Sequence, residues 1–254
     1  MKPARRLRSV ASLPALLLLA FPGGVLAASA DRNLMEASVS LSDIRSLQRG
    51  AHVFVNYCAG CHAAAYMRYQ RLARDLRIPE QALRENFMFG TDNPGDTMAN
   101  AMSEAAGTQY FGVAPPDLSL VARSRGADWL YTYLLTFYED PGRPFGTNNL
   151  VFRDTAMPHV LWELQGAQQP VYRKVLDAQG KERQVIERLE LVRPGTLDER
   201  EYKELAADLV NFLVYLSEPI QQSRRRVGAW VSFYLLLLVI VTYLLKREYW
   251  RDIK

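Results

Sequence analysis

Cysteine is scarce in this 254-residue chain: there are two, Cys58 and Cys61, beside three histidines. A closed zinc site uses four Cys or His ligands at regular spacing, and no second cysteine pair exists to complete one. No βαβ pattern surrounds the pair, which sets aside a thioredoxin-like redox motif. Internal repeats and low-complexity stretches are missing too, so the middle of the chain reads as one core with elaborations. One further absence is local: no charged residue interrupts the run from Val227 to Leu245.

What is there is the run Cys58-Ala59-Gly60-Cys61-His62. Two thiols separated by two residues reach one edge of a haem and add across its two vinyl groups, while the adjacent imidazole swings under the iron. The spacing is the signature of covalent c-type haem attachment.

The ends of the chain suit an exported, anchored protein. Lys2, Arg5, Arg6 and Arg8 precede an apolar run from Val10 to Leu19, and small residues follow at Ala27, Ala28 and Ala30. Residues 1–30 read as a secretory signal cleaved after Ala27 or Ala30, and Pro14 and Pro22 argue against an uncleaved anchor. The run Val227–Leu245 approaches the ~20 residues that span a bilayer as a helix. Arg224, Arg225 and Arg226 bracket it on one side, Lys246 and Arg247 on the other, and Trp230, Tyr234, Tyr243, Tyr249 and Trp250 suit an interfacial belt. Basic residues on both sides leave orientation to the signal. The expected order is an exported haem domain over 31–223, then 224–254 as anchor and short cytoplasmic tail. That domain carries 20 basic and 25 acidic residues, a net charge of −5. Such a surface can steer a basic partner, and no nucleic-acid partner is expected.

Pattern gives the coarse structure. Ile44, Leu47, Ala51, Phe54 and Val55 fall at helical intervals, so a helix over Ser42–Tyr57 delivers the chain to Cys58. Ile78–Met88 reads as another helix, and Thr91–Pro116, rich in Gly, Pro, Asn and Ala, as mostly loop. Trp129, Tyr133, Leu134 and Phe137 mark a helix over Ala127–Tyr138. Val171–Leu176 and Gln184–Val192 flank a turn at Asp177–Gly180 and predict a hairpin. Thr196 with Glu199 has a capping-box pattern ahead of a helical face of Tyr202, Leu205, Leu209, Phe212, Leu213 and Leu216 that ends at Pro219. The fold class is mainly α: a cytochrome c-like haem domain with a small β-hairpin insertion and one C-terminal transmembrane helix.

The sixth ligand of the iron decides its chemistry. An open position allows small-molecule binding, whereas a methionine thioether closes the site and raises the potential for electron transfer. Met67, Met88, Met98, Met102, Met157, His52 and His159 are the candidates. Met157 lies 95 residues beyond His62, enough chain to wrap a macrocycle, and Pro158 holds it extended. His159 remains its rival, since bis-histidine haems exist, and spacing does not choose between them.

Several runs in consistent order resemble cytochrome c1: Tyr57–His62 with Tyr66-Met67-Arg68-Tyr69, then Pro115-Pro116-Asp117-Leu118-Ser119, then Ala156-Met157-Pro158-His159-Val160-Leu161-Trp162. Asp208–Leu213 and Glu218-Pro219 before the anchor extend the likeness. The resemblance implies thioether attachment at Cys58 and Cys61, axial ligation by His62 and Met157, a propionate contact at Arg125, and haem packing at Pro115 and Pro116. It also implies one haem c and a subunit of the quinol-oxidising complex, which is dimeric. There the chain takes an electron from the Rieske iron–sulfur protein beside cytochrome b and passes it to a cytochrome c acceptor. No catalytic acid or base is expected, because the chain is not an enzyme by itself. Ala63 departs from the serine common after the haem histidine. A stand-alone, membrane-tethered monohaem carrier is the alternative that the motif and anchor also allow.

Overall fold

The computed structural model describes residues 34–176 and 180–252. The expected signal, residues 1–30, and the centre of the expected turn, residues 177–179, lie outside the described residues.

Two long-range helix partners form the core. Asp43 caps α1 (Ile44–Val53), its carboxylate accepting from Ser46 N at 3.0 Å. The apolar residues repeating at three and four positions then place Leu47, Ala51 and Phe54 in the interior. They meet α8 (Glu199–Ser217), which buries Tyr202, Leu209, Phe212, Leu213 and Leu216, all anticipated from the sequence. The Phe54 and Phe212 rings meet at a tilt of 54°, their centroids 5.6 Å apart. The two helices cross closely at Gly50, where a Cβ would stand 2.0 Å from the Asp208 carbonyl oxygen. Beside that crossing Arg49 pairs with Asp208 through two hydrogen bonds, 2.5 and 2.9 Å long. Buried Asn211 on α8 is fully satisfied: its Oδ1 accepts from Ser40 N, and its Nδ2 donates to Ser40 O and Ser46 Oγ. The segment ahead of α1 is thereby fixed to the core at Ser40.

The remaining elements are short. They are β1 (Ala64–Arg68), α2 (Tyr69–Leu76), α3 (Glu80–Asn86), β2 (Thr97–Met98), α4 (Glu104–Phe111), α5 (Val121–Arg125), α6 (Ala127–Leu135), β3 (Phe137–Glu139), β4 (Thr147–Asn149) and α7 (Trp162–Gln165). Each sheet among the described residues is an antiparallel pair, β1 with β2, β3 with β4, and β5 (Gly166–Leu176) with β6 (Glu182–Pro194).

The Thr91–Pro116 segment is mostly loop, as expected, but it carries the short helix α4, which Ser103 Oγ caps and Gly112, at φ +77°, ends. Two expectations are corrected. The aromatic helix stops at Leu135, and Phe137 begins a strand instead. The capping box of α8 is Asp198 with Glu201, not Thr196 with Glu199; Glu201 N donates to Asp198 Oδ1 at 2.8 Å and Asp198 N to Glu201 Oε2 at 3.0 Å. The hairpin is as expected but longer. Its base closes where Gly166 (φ +92°) passes so near Arg193 that a Cβ would stand 2.2 Å from the carbonyl oxygen.

The last helix, α9 (Gln221–Tyr249), contains the expected span, and its apolar window has a mean hydropathy of 2.2 with none of it buried. At 1.5 Å per residue it reaches roughly 44 Å, more than the ~30 Å hydrocarbon core requires.

Candidate haem site

The site starts where α1 loosens. Ala59 N donates to Phe54 O at 2.9 Å, a five-residue closure that makes Phe54–Cys58 a π-helical turn. The Cys58 carbonyl then accepts from both Cys61 N (3.1 Å) and His62 N (2.8 Å), and the helix direction is lost. One turn thus gathers Cys58, Cys61 and His62. Asn100 Nδ2 pins its far side by donating to Cys61 O at 2.7 Å. Both cysteines are free thiols. Burial, and secondarily the neighbouring Cys61, push the Cys58 thiol up to about 12, so it is no ready thiolate for a bare cation.

Downstream of the turn, residues 62–66 are zipped to residues 116–119. His62 Nδ1 donates to Pro116 O at 2.7 Å, Leu118 N to Ala63 O at 2.8 Å, Ala65 N to Asp117 Oδ2 at 2.9 Å, and Tyr66 N to Ser119 Oγ at 3.1 Å. A carbonyl only accepts, so the His62 proton sits on Nδ1 and Nε2 keeps a lone pair. Burial lowers the His62 pKa, against the opposing pull of the Pro116 bond and the Asp117 charge, which keeps the imidazole neutral. Pro115 is half-buried and Pro116 exposed. Gly107 of α4 backs Pro115 so closely that a Cβ would meet its Cδ at 2.5 Å.

Met157 is half-buried in an irregular segment held on both sides. Upstream, Asn148 Oδ1 accepts from Asp154 N at 2.8 Å and Tyr133 Oη meets the buried Thr155 Oγ1 at 2.9 Å. Downstream, the His159 ring stacks flat on Phe137, centroids 4.8 Å apart. Burial lowers His159 to about 4, so it too is neutral. Its Nε2 is buried without a partner among the described residues.

Arg125 ends α5 on the surface. Its guanidinium carbon lies 5.1 Å from the Trp129 ring centroid and 5.8 Å from that of Phe152, and it makes no ion pair among the described residues. Trp129 Nε1 is buried with no hydrogen-bond partner among them. Gly126, at φ +90°, makes the elbow that brings Arg125 back over the first turn of α6. Two unspent donors of this kind suit a carboxylate. Trp129 had been legible only as an apolar helix residue, since nothing in a sequence tells which indole N–H lacks a partner.

The Cytochrome C1 family matches residues 35–168 and 190–253. This chain belongs to the cytochrome c1 family. Membership gives it one covalently bound haem c and makes it a haem electron-transfer subunit of the bc1 complex. The segment left unmatched, 169–189, falls within the β5–β6 hairpin. Cytochrome c1 of Allochromatium vinosum is 47% identical over 239 residues, covering 94% of this chain and 97% of that one. A protein of Nitrosomonas europaea named ammonia monooxygenase gamma subunit is 45% identical over 224 residues, covering 87% and 88%. Cytochrome c1 of Rhodospirillum rubrum is 26% identical over 247 residues, covering 84% and 83%.

The residues present fit a haem c. Two free thiols and a neutral imidazole share one turn, and among the described residues no three His, Cys, Asp or Glu side chains gather as a bare cation would need.

Proposed function

We propose that this chain takes single electrons from the Rieske iron–sulfur subunit and hands them to a cytochrome c, beside cytochrome b in a dimeric complex. The haem supplies a one-electron iron couple. The chain's residues would hold and tune it: Cys58 and Cys61 through thioethers, His62 Nε2 and Met157 Sδ at the iron, Arg125 at a propionate, and Pro115 and Pro116 against the macrocycle. The observation that carries this reading is the 2.7 Å bond from His62 Nδ1 to Pro116 O, which leaves Nε2 as the coordinating nitrogen. A carbonyl partner on the far nitrogen is what orients a metal-binding histidine and raises its basicity. Arg125 has its guanidinium unpaired among the described residues, and Trp129 Nε1 adds a second donor.

The signal in 1–30, removed after Ala27 or Ala30, would leave the domain 31–223 in the periplasm of a bacterial inner membrane. Residues 224–254 then provide the single span and a cytoplasmic C-terminus.

The test is purification through a C-terminal tag in mild detergent, followed by a dithionite-reduced spectrum. A c-type band with b-type haem and a co-purifying iron–sulfur subunit is expected. A c-type band alone, under conditions that keep such complexes intact, would replace this reading with a lone tethered carrier. Absence of a c-type band would overturn the haem assignment.

A further inference from the structure

We propose that Asp117 is the positioning residue of the haem iron's proximal side: its carboxylate locks the Pro116 carbonyl against His62 and places a negative charge beside that imidazole. The inference rests on the reading of His62 as axial ligand.

The Pro116 carbonyl lies in the rigid peptide plane it shares with Asp117 N, so its aim depends on what holds residue 117. Asp117 holds it with both oxygens. Oδ1 accepts from Ser119 N at 2.7 Å, curling its own segment, while Oδ2 accepts from Ala65 N at 2.9 Å on β1, which leaves His62. No other side chain in this zipper bonds to both segments. Ser119, 2% exposed, makes one further bond across it, accepting from Tyr66 N. Asn100 pins the opposite side of the haem turn but carries no charge.

Two consequences have the same sign. A firmly aimed acceptor on Nδ1–H makes Nε2 a stronger donor, and a nearby anion favours the more positive metal centre. Both stabilise the oxidised iron, so Asp117 lowers the potential.

The experiment is a redox titration of the full chain in its complex, with EPR of the oxidised haem, on wild type, D117N and D117E. In D117N one of the two backbone amides loses its acceptor and the charge is removed. The expected result is a retained c-type band, altered low-spin g values, and a roughly threefold rise in the reduced-to-oxidised ratio at fixed ambient potential, about 28 mV at 59 mV per decade. D117E, which keeps charge and acceptors, is expected to stay close to wild type. A D117N ratio and EPR spectrum identical to wild type would overturn the proposal while leaving His62 ligation intact. Should D117N carry no haem, D117E decides: a c-type band at the wild-type ratio supports the proposal, and loss of haem there too reduces Asp117 to a folding residue and overturns it. A wild-type protein without low-spin c-type haem would instead bring down the reading of His62 itself.

Discussion

The Arg125 guanidinium carbon stands 5.1 Å from the centroid of the Trp129 ring, whose own N–H is buried and unpartnered among the described residues. A buried donor left unmet costs about 1–3 kcal/mol, and here its ring adjoins a cation that also lacks an ion-pair partner among the described residues.

The first prediction follows from that pair. Trp129→Phe keeps a ring beneath Arg125 but deletes the N–H. If Nε1 donates to a haem carboxylate, its loss leaves that anion less neutralised and favours the oxidised iron. The c-type band should persist while the reduced-to-oxidised ratio at fixed potential falls by roughly threefold, in keeping with a charge-assisted hydrogen bond partly screened near the surface. Redox titration checks it, and an unmoved midpoint would mean that Nε1 faces another group.

Met157→Leu keeps volume and apolar character but removes the thioether. A thioether ligand raises the haem potential, so the variant should show a markedly lower midpoint and lose quinol-dependent reduction of cytochrome c. An unchanged midpoint would return the ligand question to His159, whose neutral Nε2 lies two residues away.

Acid stability should depend in part on Asp75. Burial acts to raise its pKa, but hydrogen bonds from Arg71, Tyr215 and Arg74 outweigh it and hold the carboxylate below its usual value. A carboxyl depressed in the folded state stabilises the fold at pH above its unfolded value of about 3.9, and that contribution is lost as pH falls through the folded value. Asp75→Asn should therefore be less stable than wild type at neutral pH, the gap narrowing below about pH 4. Denaturant melts at pH 7 and pH 3 compare the two.

The haem turn was legible because its chemistry demands fixed residue types at fixed spacing, and the α8 face and the anchor because apolar periodicity and length follow directly from helix geometry. The proximal zipper was not. Pro115-Pro116-Asp117-Leu118-Ser119 could be quoted as a matching run, yet the bonds from Ala65 N and Tyr66 N to Asp117 and Ser119 join residues more than fifty positions apart. Local pattern carries no such information. Helix α4 was hidden for a different reason: glycine and proline around it signal loop, although Ser103 ahead of Glu104 and Gly112 behind Phe111 are the start and stop marks of a short helix. The shift of the α8 cap to Asp198 has a similar cause, since two overlapping capping patterns lie two residues apart and only the backbone geometry chooses between them.

Gly50 gives the prediction that reaches farthest from the haem. In an exposed helix, replacing glycine by alanine stabilises by roughly 0.5–1 kcal/mol through backbone entropy. At position 50 the added methyl would lie 2.0 Å from Asp208 O and 2.8 Å from Phe212 Cβ, against backbone that cannot rotate away. Helices α1 and α8 must then part, straining the Arg49–Asp208 pair and the tilted Phe54–Phe212 ring contact beside the crossing. Overpacking of this kind costs about 1–3 kcal/mol, enough to outweigh the entropic gain. Gly50→Ala should therefore lower the melting temperature by several degrees, at ~2–4 °C per kcal/mol for a domain of this size. Because α1 runs directly into the π-helical turn, the loss should register in the haem's own circular dichroism on heating as well as in the far ultraviolet. Gly228→Ala, with open space around the new methyl, is the matched control, and equal melting of the two variants would show that the close helix crossing does not govern stability.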